Sequence, residues 1–315
     1  MTWVLFLSEA EVAALLDVDE LLEALAGAFR GLSTGRASVP PRIAARAELG
    51  MLGAMPVYLP GVALGAKLVT VFPGNHAREL PSHQGLIVLF GEDDGTPAAV
   101  MDGRHITAVR TGAAAAVAAG TLARADARVL AILGAGVQGR SHLEALPRVR
   151  DFREIRVASR TPAHAAALAS LHPAARPVAS FQEAVDGADV VCCCTDAREP
   201  VLQAAWLAPG THVSSVGGTF GPELDAGTVR AGRVFVEWRG AALEAPPAGA
   251  HELQGLGGDA VTELGEVLAG TRPGRTSAEE LTVYKSTGHA VEDAAAAHLV
   301  HRRAIQAGAG LAVEL

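Results

Sequence analysis

The first third of the chain alternates apolar runs with polar turns. Ser8 followed by Glu11 forms a capping box that predicts a short helix, and Asp17 begins a longer amphipathic helix that extends to about Gly31. Four apolar runs bounded by polar, glycine or proline residues predict strands at 52–58, 64–71, 85–90 and 98–101. The acidic loop 91–95 predicts a hairpin between the last two. This part of the chain is therefore predicted to be an antiparallel sheet with helices.

The pattern changes from about residue 107. An alanine-rich helix is predicted over 111–124, and strands and helices alternate after it. The predicted strands are 128–133, 154–158, 189–194, 212–216 and 233–237. Such alternation is typical of a doubly wound parallel sheet of the Rossmann type. The tail, 277–310, has an almost wholly helical pattern. The predicted fold class is α/β, with a Rossmann sheet and a separate α+β part.

A glycine motif, G-x-G-x-x-G, follows the strand at 128–133 and precedes a helical pattern. Gly134 permits the tight turn, Gly136 lets backbone approach a pyrophosphate, and Gly139 lets the helix pack on the strand. Val137 and Gln138 begin the helix, where unpaired N–H groups favour phosphate. The context predicts binding of NAD or NADP; the alternative is a glycine-rich turn without a ligand.

The residues after the second Rossmann strand bear on the choice of cofactor. An acidic residue there would bind the ribose hydroxyls of NAD, but this chain has Ser159, Arg160 and Thr161. An arginine and two hydroxyls suit the 2′-phosphate of NADP. We therefore expect NADP; the alternative is that Arg160 only stacks on the adenine and both NADP and NAD bind.

Composition and charge exclude several classes of function. The net charge is −8, and the sequence has no cluster of basic residues of the kind that binds nucleic acid. No apolar run is long enough to span a membrane, and the N-terminus lacks the pattern of a signal peptide, so we expect a cytoplasmic protein. The three cysteines, 192–194, are consecutive in a predicted buried strand and point to opposite faces, so they predict core packing rather than a metal site. A reactive thiol is the alternative.

Six segments resemble the ornithine cyclodeaminase/mu-crystallin family. They are 39–42, 65–75, 80–85, 102–111, 134–138 and 280–293. The resemblance implies a two-domain subunit. Residues 1–112 with 290–315 would bind substrate and form a homodimer, and residues 113–289 would bind NAD(P).

The resemblance also implies a substrate site. Arg42 and Arg110 match the pair that holds the substrate carboxylate, and a planar guanidinium suits that task. Lys67 matches the active-site lysine of the family. It lies in an apolar strand, where burial would lower its pKa into a range useful for proton transfer. His83 would orient substrate or relay a proton. The alternatives are surface ion pairs for the arginines, a solvent-facing strand lysine and a loop histidine.

The nicotinamide end of the cofactor is expected at two other segments. Val216 and Gly217 follow the next Rossmann strand, and Lys285, Ser286 and Gly288 belong to a segment that lies near the pocket in the family. These roles are implied by the resemblance.

One departure from the family bears on the reaction. Ornithine cyclodeaminases carry a catalytic aspartate shortly after the strand that ends Val-Gly-Gly, whereas Thr219 occupies the nearest place here and Asp225 is expected to cap a helix. A threonine cannot accept a proton as a carboxylate can. The predicted function is therefore NAD(P)H-dependent reduction of a cyclic imino acid such as Δ1-pyrroline-2-carboxylate. The alternatives are ornithine cyclodeaminase, an alanine-type amino-acid dehydrogenase, and a non-catalytic NADP-binding protein.

Overall fold

The computed structural model describes residues 2–315, apart from the side chain of His76. The chain divides into two compact units, which we call unit 1 (Met1–Arg110 with His289–Leu315) and unit 2 (Thr111–Gly288). The sequence placed the corresponding boundaries at 112/113 and 289/290. The functions assigned to the two parts remain predictions.

The helices and strands follow in chain order. They are β1 (Trp3–Leu7), α1 (Glu9–Leu15), α2 (Val18–Ser33), β2 (Ile43–Ala47), β3 (Gly50–Leu59), β4 (Ala63–Val71), β5 (His83–Phe90), β6 (Pro97–Asp102), α3 (Gly103–Leu122), β7 (Val129–Leu133), α4 (Val137–Ala145), β8 (Glu154–Ala158), α5 (Pro162–Ala169), β9 (Ala175–Pro177), α6 (Phe181–Val185), β10 (Val190–Cys193), β11 (His212–Ser215), α7 (Ala226–Ala231), β12 (Arg233–Val236), α8 (Gly240–Leu243), β13 (Val261–Glu263), α9 (Leu264–Leu268), β14 (Thr282–Lys285), α10 (Ala290–Ala307) and β15 (Leu311–Glu314).

Unit 1 contains a mixed sheet with the order β15-β1-β6-β5-β4-β3-β2. The hairpin between β5 and β6 is confirmed. The prediction of an antiparallel sheet needs one correction, because β1 pairs with β6 in parallel. Three strands, β1, β2 and β15, were not predicted. Every residue of β2 is exposed, so that strand has no buried face to produce an alternating pattern.

One face of this sheet is covered by helices. Helix α10 packs against β3, β4 and α2, and the covered face carries buried side chains such as Met55, Val57 and Ile87. Ser8 and Asp17 cap α1 and α2 as predicted. The face is therefore dry, and any polar side chain on it must find a partner within the protein.

Helix α3 begins at Gly103, eight residues before the predicted start. The reason is a cap: one carboxylate oxygen of Asp102 accepts hydrogen bonds from the backbone N–H groups of Arg104 (2.9 Å) and His105 (3.2 Å). Such a cap satisfies N–H groups that have no partner within the helix. The alanine-rich stretch is thus only the second part of a longer helix.

Unit 2 contains a parallel sheet with the order β13-β12-β14-β11-β10-β7-β8-β9. The Rossmann prediction is confirmed. The chain order reverses between β7 and β10, and in such sheets ligands bind outside the carboxyl ends of the strands at this point.

The tail needs a correction, because β14 lies in the segment predicted to be helical. All four of its residues are buried, and it lies between β11 and β12. A short strand buried on both faces lacks the alternation that distinguishes strand from helix.

The three cysteines are buried at the end of β10 or just after it, as predicted for core packing. Burial raises the pKa of each thiol, and the nearby carboxylate of Glu223 adds to the effect. No helix among residues 2–315 is long and apolar enough to cross a membrane.

Candidate functional site

The glycine motif forms a turn at the carboxyl end of β7. Gly134 has φ +107°, and a side chain there would place Cβ 2.4 Å from the carbonyl oxygen of Cys194. At Gly139 the Cβ would lie 2.2 Å from the carbonyl oxygen of Gly134, so glycine is needed for the helix to pack. Around Gly136, by contrast, no atom of the described residues beyond its own chain neighbours lies within 4 Å of the position of a Cβ. This glycine therefore leaves open space beside the turn.

Helix α4 begins at this open space. Gly136 is its N-cap, no side chain caps it, and Val137 and Gln138 follow as the first helical residues. Backbone N–H groups and the helix dipole favour a phosphate at such an end. The residues of the turn fit the pyrophosphate of a dinucleotide.

The predicted adenosine residues follow β8. Thr161 is the N-cap of α5, and its backbone N–H donates to Ser159 Oγ at 3.3 Å. The Arg160 side chain is 79% exposed, and its Nη2 lies 2.9 Å from Oδ1 of Asp196. Asp196 follows β10 and was not singled out in the sequence.

A buried carboxylate joins the ends of β10 and β11. Glu223 accepts hydrogen bonds from Thr195 N (2.7 Å), Thr195 Oγ1 (2.6 Å), Ser215 Oγ (2.8 Å) and Gly217 N (2.7 Å). Four donors on one fully buried carboxylate offset the cost of removing its charge from water. These hydrogen bonds fix the backbone of Gly217, which with Val216 forms the segment where the nicotinamide end was predicted.

Lys285 is fully buried at the end of β14. Its Nζ donates to Ser215 Oγ (2.8 Å) and to the carbonyl oxygen of Gly217 (2.7 Å), and it pairs with Glu252 at 3.1 Å. Protein groups therefore surround the ammonium. What the structure shows for Lys285 is support of the Gly217 backbone, and its predicted contact with a cofactor remains a prediction.

A second buried glutamate holds the other predicted segment. Glu237 accepts hydrogen bonds from Ser286 Oγ, from Thr287 N (3.1 Å) and from Gly288 N (3.2 Å). It joins the end of β12 to the loop after β14. Sequence analysis missed Glu237 and Glu223. The sequence did contain a signal for Glu237, because it is a glutamate at the end of an apolar predicted strand.

In unit 1, Lys67 lies on the covered face of the sheet. It is 4% exposed, and its Nζ donates to Thr107 Oγ1 (2.7 Å) and to Asp293 Oδ1 (3.1 Å). Burial lowers the pKa of Lys67 below its usual 10.5, while Asp293 opposes the shift. The predicted burial is confirmed, and the alternative of a solvent-facing lysine is wrong.

Arg110 reaches the same carboxylate. Its Nε lies 3.3 Å from Asp293 Oδ1, and its Nη1 lies 2.8 Å from Glu292 Oε2. Glu292 also accepts the backbone N–H of His289, the N-cap of α10, at 2.7 Å. We call Lys67, Arg110, Glu292 and Asp293 the unit 1 cluster. The sequence motif contained both acids, but no role was assigned to them.

Asp293 lies at the centre of this cluster. Burial alone would raise the pKa of Asp293, but Lys67 and Arg110 more than offset it, so the pKa lies below the usual 3.8. Its Oδ1 serves both cations, whereas its Oδ2 is buried without a hydrogen-bond partner among the described residues. The carboxylate is therefore ionised and fixes the positions of both cations.

The two other predicted substrate residues differ in position. Arg42 is half-buried ahead of β2; burial first, and then the charge of Arg42, lowers the pKa of His289 to about 4. His83 is exposed at the start of β5, with Nδ1 3.0 Å from Ser82 Oγ. It lies four residues along β5 from Ile87, the partner of Lys67 in β4, or about 13 Å along the strand. The structure thus brings Lys67 and Arg110 together and places His83 apart.

Comparison with known proteins assigns the family. The model of the ornithine cyclodeaminase/mu-crystallin family matches residues 4–308. The chain belongs to this family. It is 42% identical over 256 residues to the ketimine reductase mu-crystallin of Mus musculus, with 80% of each chain covered.

Two solved structures of the family resemble the whole chain. One is the Δ1-pyrroline-2-carboxylate reductase of Thermococcus litoralis in complex with NADH and L-proline, with 35% identity, 98% and 99% of the two chains covered, and a TM-score of 0.91. The other is an archaeal alanine dehydrogenase dimer with bound NAD, with 33% identity, 99% of each chain covered and a TM-score of 0.90. These relatives are oxidoreductases that act on C–N bonds, and the two solved structures bind NAD or NADH.

Proposed function

We propose that this chain is an NAD(P)H-dependent reductase of a cyclic imino acid whose C=N bond lies next to a carboxylate, such as Δ1-pyrroline-2-carboxylate. The observation that carries the proposal is the unit 1 cluster. A lysine and an arginine meet at one buried aspartate, in a chain whose other unit has a glycine turn before a helix that fits a pyrophosphate. Reductases of this class are among the relatives.

The arginines would hold the carboxylate of the substrate. A guanidinium binds a carboxylate with two parallel hydrogen bonds, which orients as well as attracts it. Glu292 and Asp293 fix the orientation of Arg110, so little conformational entropy remains to be lost on binding. Arg42 adds the second positive charge.

Lys67 would keep the imine nitrogen protonated. A protonated imine is the better electrophile, and a lysine whose pKa is lowered by burial exchanges a proton at lower pH than an exposed lysine does. Thr107 Oγ1 donates to the carbonyl oxygen of Gly103 at 2.6 Å and accepts from Lys67, which fixes the direction of the ammonium. His83, which lies apart from Lys67 along β5, is given no step in this mechanism.

The cofactor would be held by unit 2. The turn from Gly134 to Gly139 would bind the pyrophosphate, Ser159 to Thr161 the adenosine, and the two segments held by Glu223 and Glu237 the nicotinamide end. When bound, NADPH or NADH supplies the hydride. The protein contributes binding and orientation. Arg160 is the reason to expect NADPH.

The direct test is NADPH oxidation with Δ1-pyrroline-2-carboxylate, beside ammonia release from ornithine with NAD. We expect imine-dependent oxidation and no ammonia, because Thr219 stands where the cyclodeaminases carry an acid. Lys67→Met should lower kcat by about 10²- to 10⁴-fold and leave NADPH binding unchanged. Unaltered turnover in that variant would remove Lys67 from the mechanism.

Alanine oxidation is the second candidate, because one of the structural relatives is an alanine dehydrogenase. NADH formation from alanine and NAD, without imine reduction, would replace the first proposal by this one.

We further propose a homodimer. The face of the unit 1 sheet opposite α10 carries exposed apolar side chains, among them Leu52, Tyr58, Leu86 and Phe90. The register of β3, β4 and β5 places them on one face. A patch of this kind marks an interaction site, and a second copy would cover it by two-fold symmetry. Leu86→Glu should give a monomer by light scattering; an unchanged mass would exclude this face.

A further inference from the structure

The ion pair between Arg160 and Asp196 lies at an unusual place in unit 2. Arg160 follows β8 and Asp196 follows β10, while β7 lies between these two strands in the sheet. Carboxyl ends of parallel strands meet at one edge. The pair, with 2.9 Å between Nη2 and Oδ1, therefore spans the end of β7, where Gly134 begins the glycine turn.

The position of Asp196 matters because the acidic residue expected after β8 is absent. Ser159, Arg160 and Thr161 stand where NAD-binding sheets of this type carry an acid for the ribose hydroxyls. Here the carboxylate comes from the end of β10 and contacts the arginine. The 2′-phosphate of NADP would need the same guanidinium, and it would bring its own negative charge towards Asp196.

We infer that Asp196 is a specificity-determining residue for the cofactor: it competes with the 2′-phosphate for Arg160 and so weakens the preference for NADPH over NADH. The inference rests on the proposed function, because it requires that unit 2 binds a nicotinamide dinucleotide.

The exposure of the pair allows the 2′-phosphate to displace Asp196 from Arg160. Both side chains are more than two-thirds exposed, and exposed ion pairs are weak and screened by salt. The pair can therefore open when a phosphate arrives. NADH, which has no 2′-phosphate, binds with the pair intact.

The test is the dissociation constant of each cofactor for the full-length protein, measured by fluorescence of the reduced nicotinamide without turnover. Asp196→Asn should tighten NADPH binding about fivefold and change NADH binding less than about twofold. The matched control is Asp151→Asn. Asp151 also forms an exposed ion pair, with Arg128 Nη1 at 2.8 Å, but at the amino ends of the strands. The control should leave the ratio of the two constants unchanged.

A second pair of variants separates competition from simple repulsion. With Arg160→Gln as background, Asp196→Asn should alter NADPH binding less than about twofold, since no guanidinium remains to compete for. An equal gain in both backgrounds, an unchanged ratio in Asp196→Asn, or weaker NADH binding in that variant would each overturn the inference. A wild-type protein that binds neither cofactor would instead refute the proposed function.

Discussion

Replacement of Asp293 by asparagine tests the unit 1 cluster most directly. The variant keeps the shape and the hydrogen-bonding oxygen of the side chain but removes the charge that lies 3.1 Å from Lys67 Nζ. Asp293 raises the pKa of Lys67 against the effect of burial. Without it, the pKa should fall further. Activity requires protonated Lys67 in the proposed mechanism, so the alkaline limb of the pH profile should move to lower pH.

The distance sets an upper limit on this shift. Unit charges 3.1 Å apart interact by about 5 kcal/mol at an effective dielectric constant of about 20. The asparagine dipole and local relaxation recover part of this energy, so the alkaline limb should move to lower pH by less than this limit. The unpaired buried charges should also cost about 3–5 kcal/mol of folding stability.

The assay is kcat/KM for imine reduction as a function of pH, with the same substrate for both proteins. Titration of the substrate is then common to both profiles, and their difference reports the enzyme. Glu292→Gln is the matched control. It removes a neighbouring buried charge that contacts Arg110, while the contacts of Lys67 with Thr107 and Asp293 are kept.

Two results would refute the reasoning. A folded Asp293→Asn protein with an unmoved alkaline limb would show that Lys67 is not the group that titrates. An equal shift in Glu292→Gln would show that general charge, rather than the contact between Lys67 and Asp293, controls the profile.

Further predictions concern the glycine turn and acid stability. Gly136→Ala should leave the melting temperature unchanged, because no described residue beyond its chain neighbours comes within 4 Å of the new Cβ. It should weaken NADH binding about tenfold, and intact binding would remove Gly136 from the pyrophosphate site. Gly139→Ala should cost about 1–3 kcal/mol in thermal unfolding, because its Cβ would lie 2.2 Å from a backbone oxygen; no loss would mean that the helix shifts freely. Hydrogen bonds from two arginines lower the pKa of Glu154 from 4.5 to about 2, so its stabilisation is lost as pH falls through that range. The melting temperature of Glu154→Gln should therefore fall less on acidification than that of the wild type, and parallel curves would contradict the assignment.

Much of the fold could be predicted because its signals are local. Capping by Ser8 and Asp17 depends on residues three positions apart, and the strand-glycine-helix order at 128–145 depends on one short segment. The errors arose in segments whose hydrophobic and polar residues do not alternate. β2 is exposed throughout and β14 is buried throughout, so neither alternates.

For the site, the sequence by itself determined the residue types. It indicated the lysine in an apolar strand, the arginines and the glycine turn, and the resemblance assigned them to a family. Only the tertiary structure decided their partners. Asp293 lies 226 positions from Lys67, and Asp196 lies 36 from Arg160. Pairings over such separations depend on strand order and helix packing, which no local periodicity encodes. The buried carboxylates are the clearest case, because a glutamate in a sequence is normally exposed. Only the donors that the fold gathers around Glu223 and Glu237 make their burial favourable.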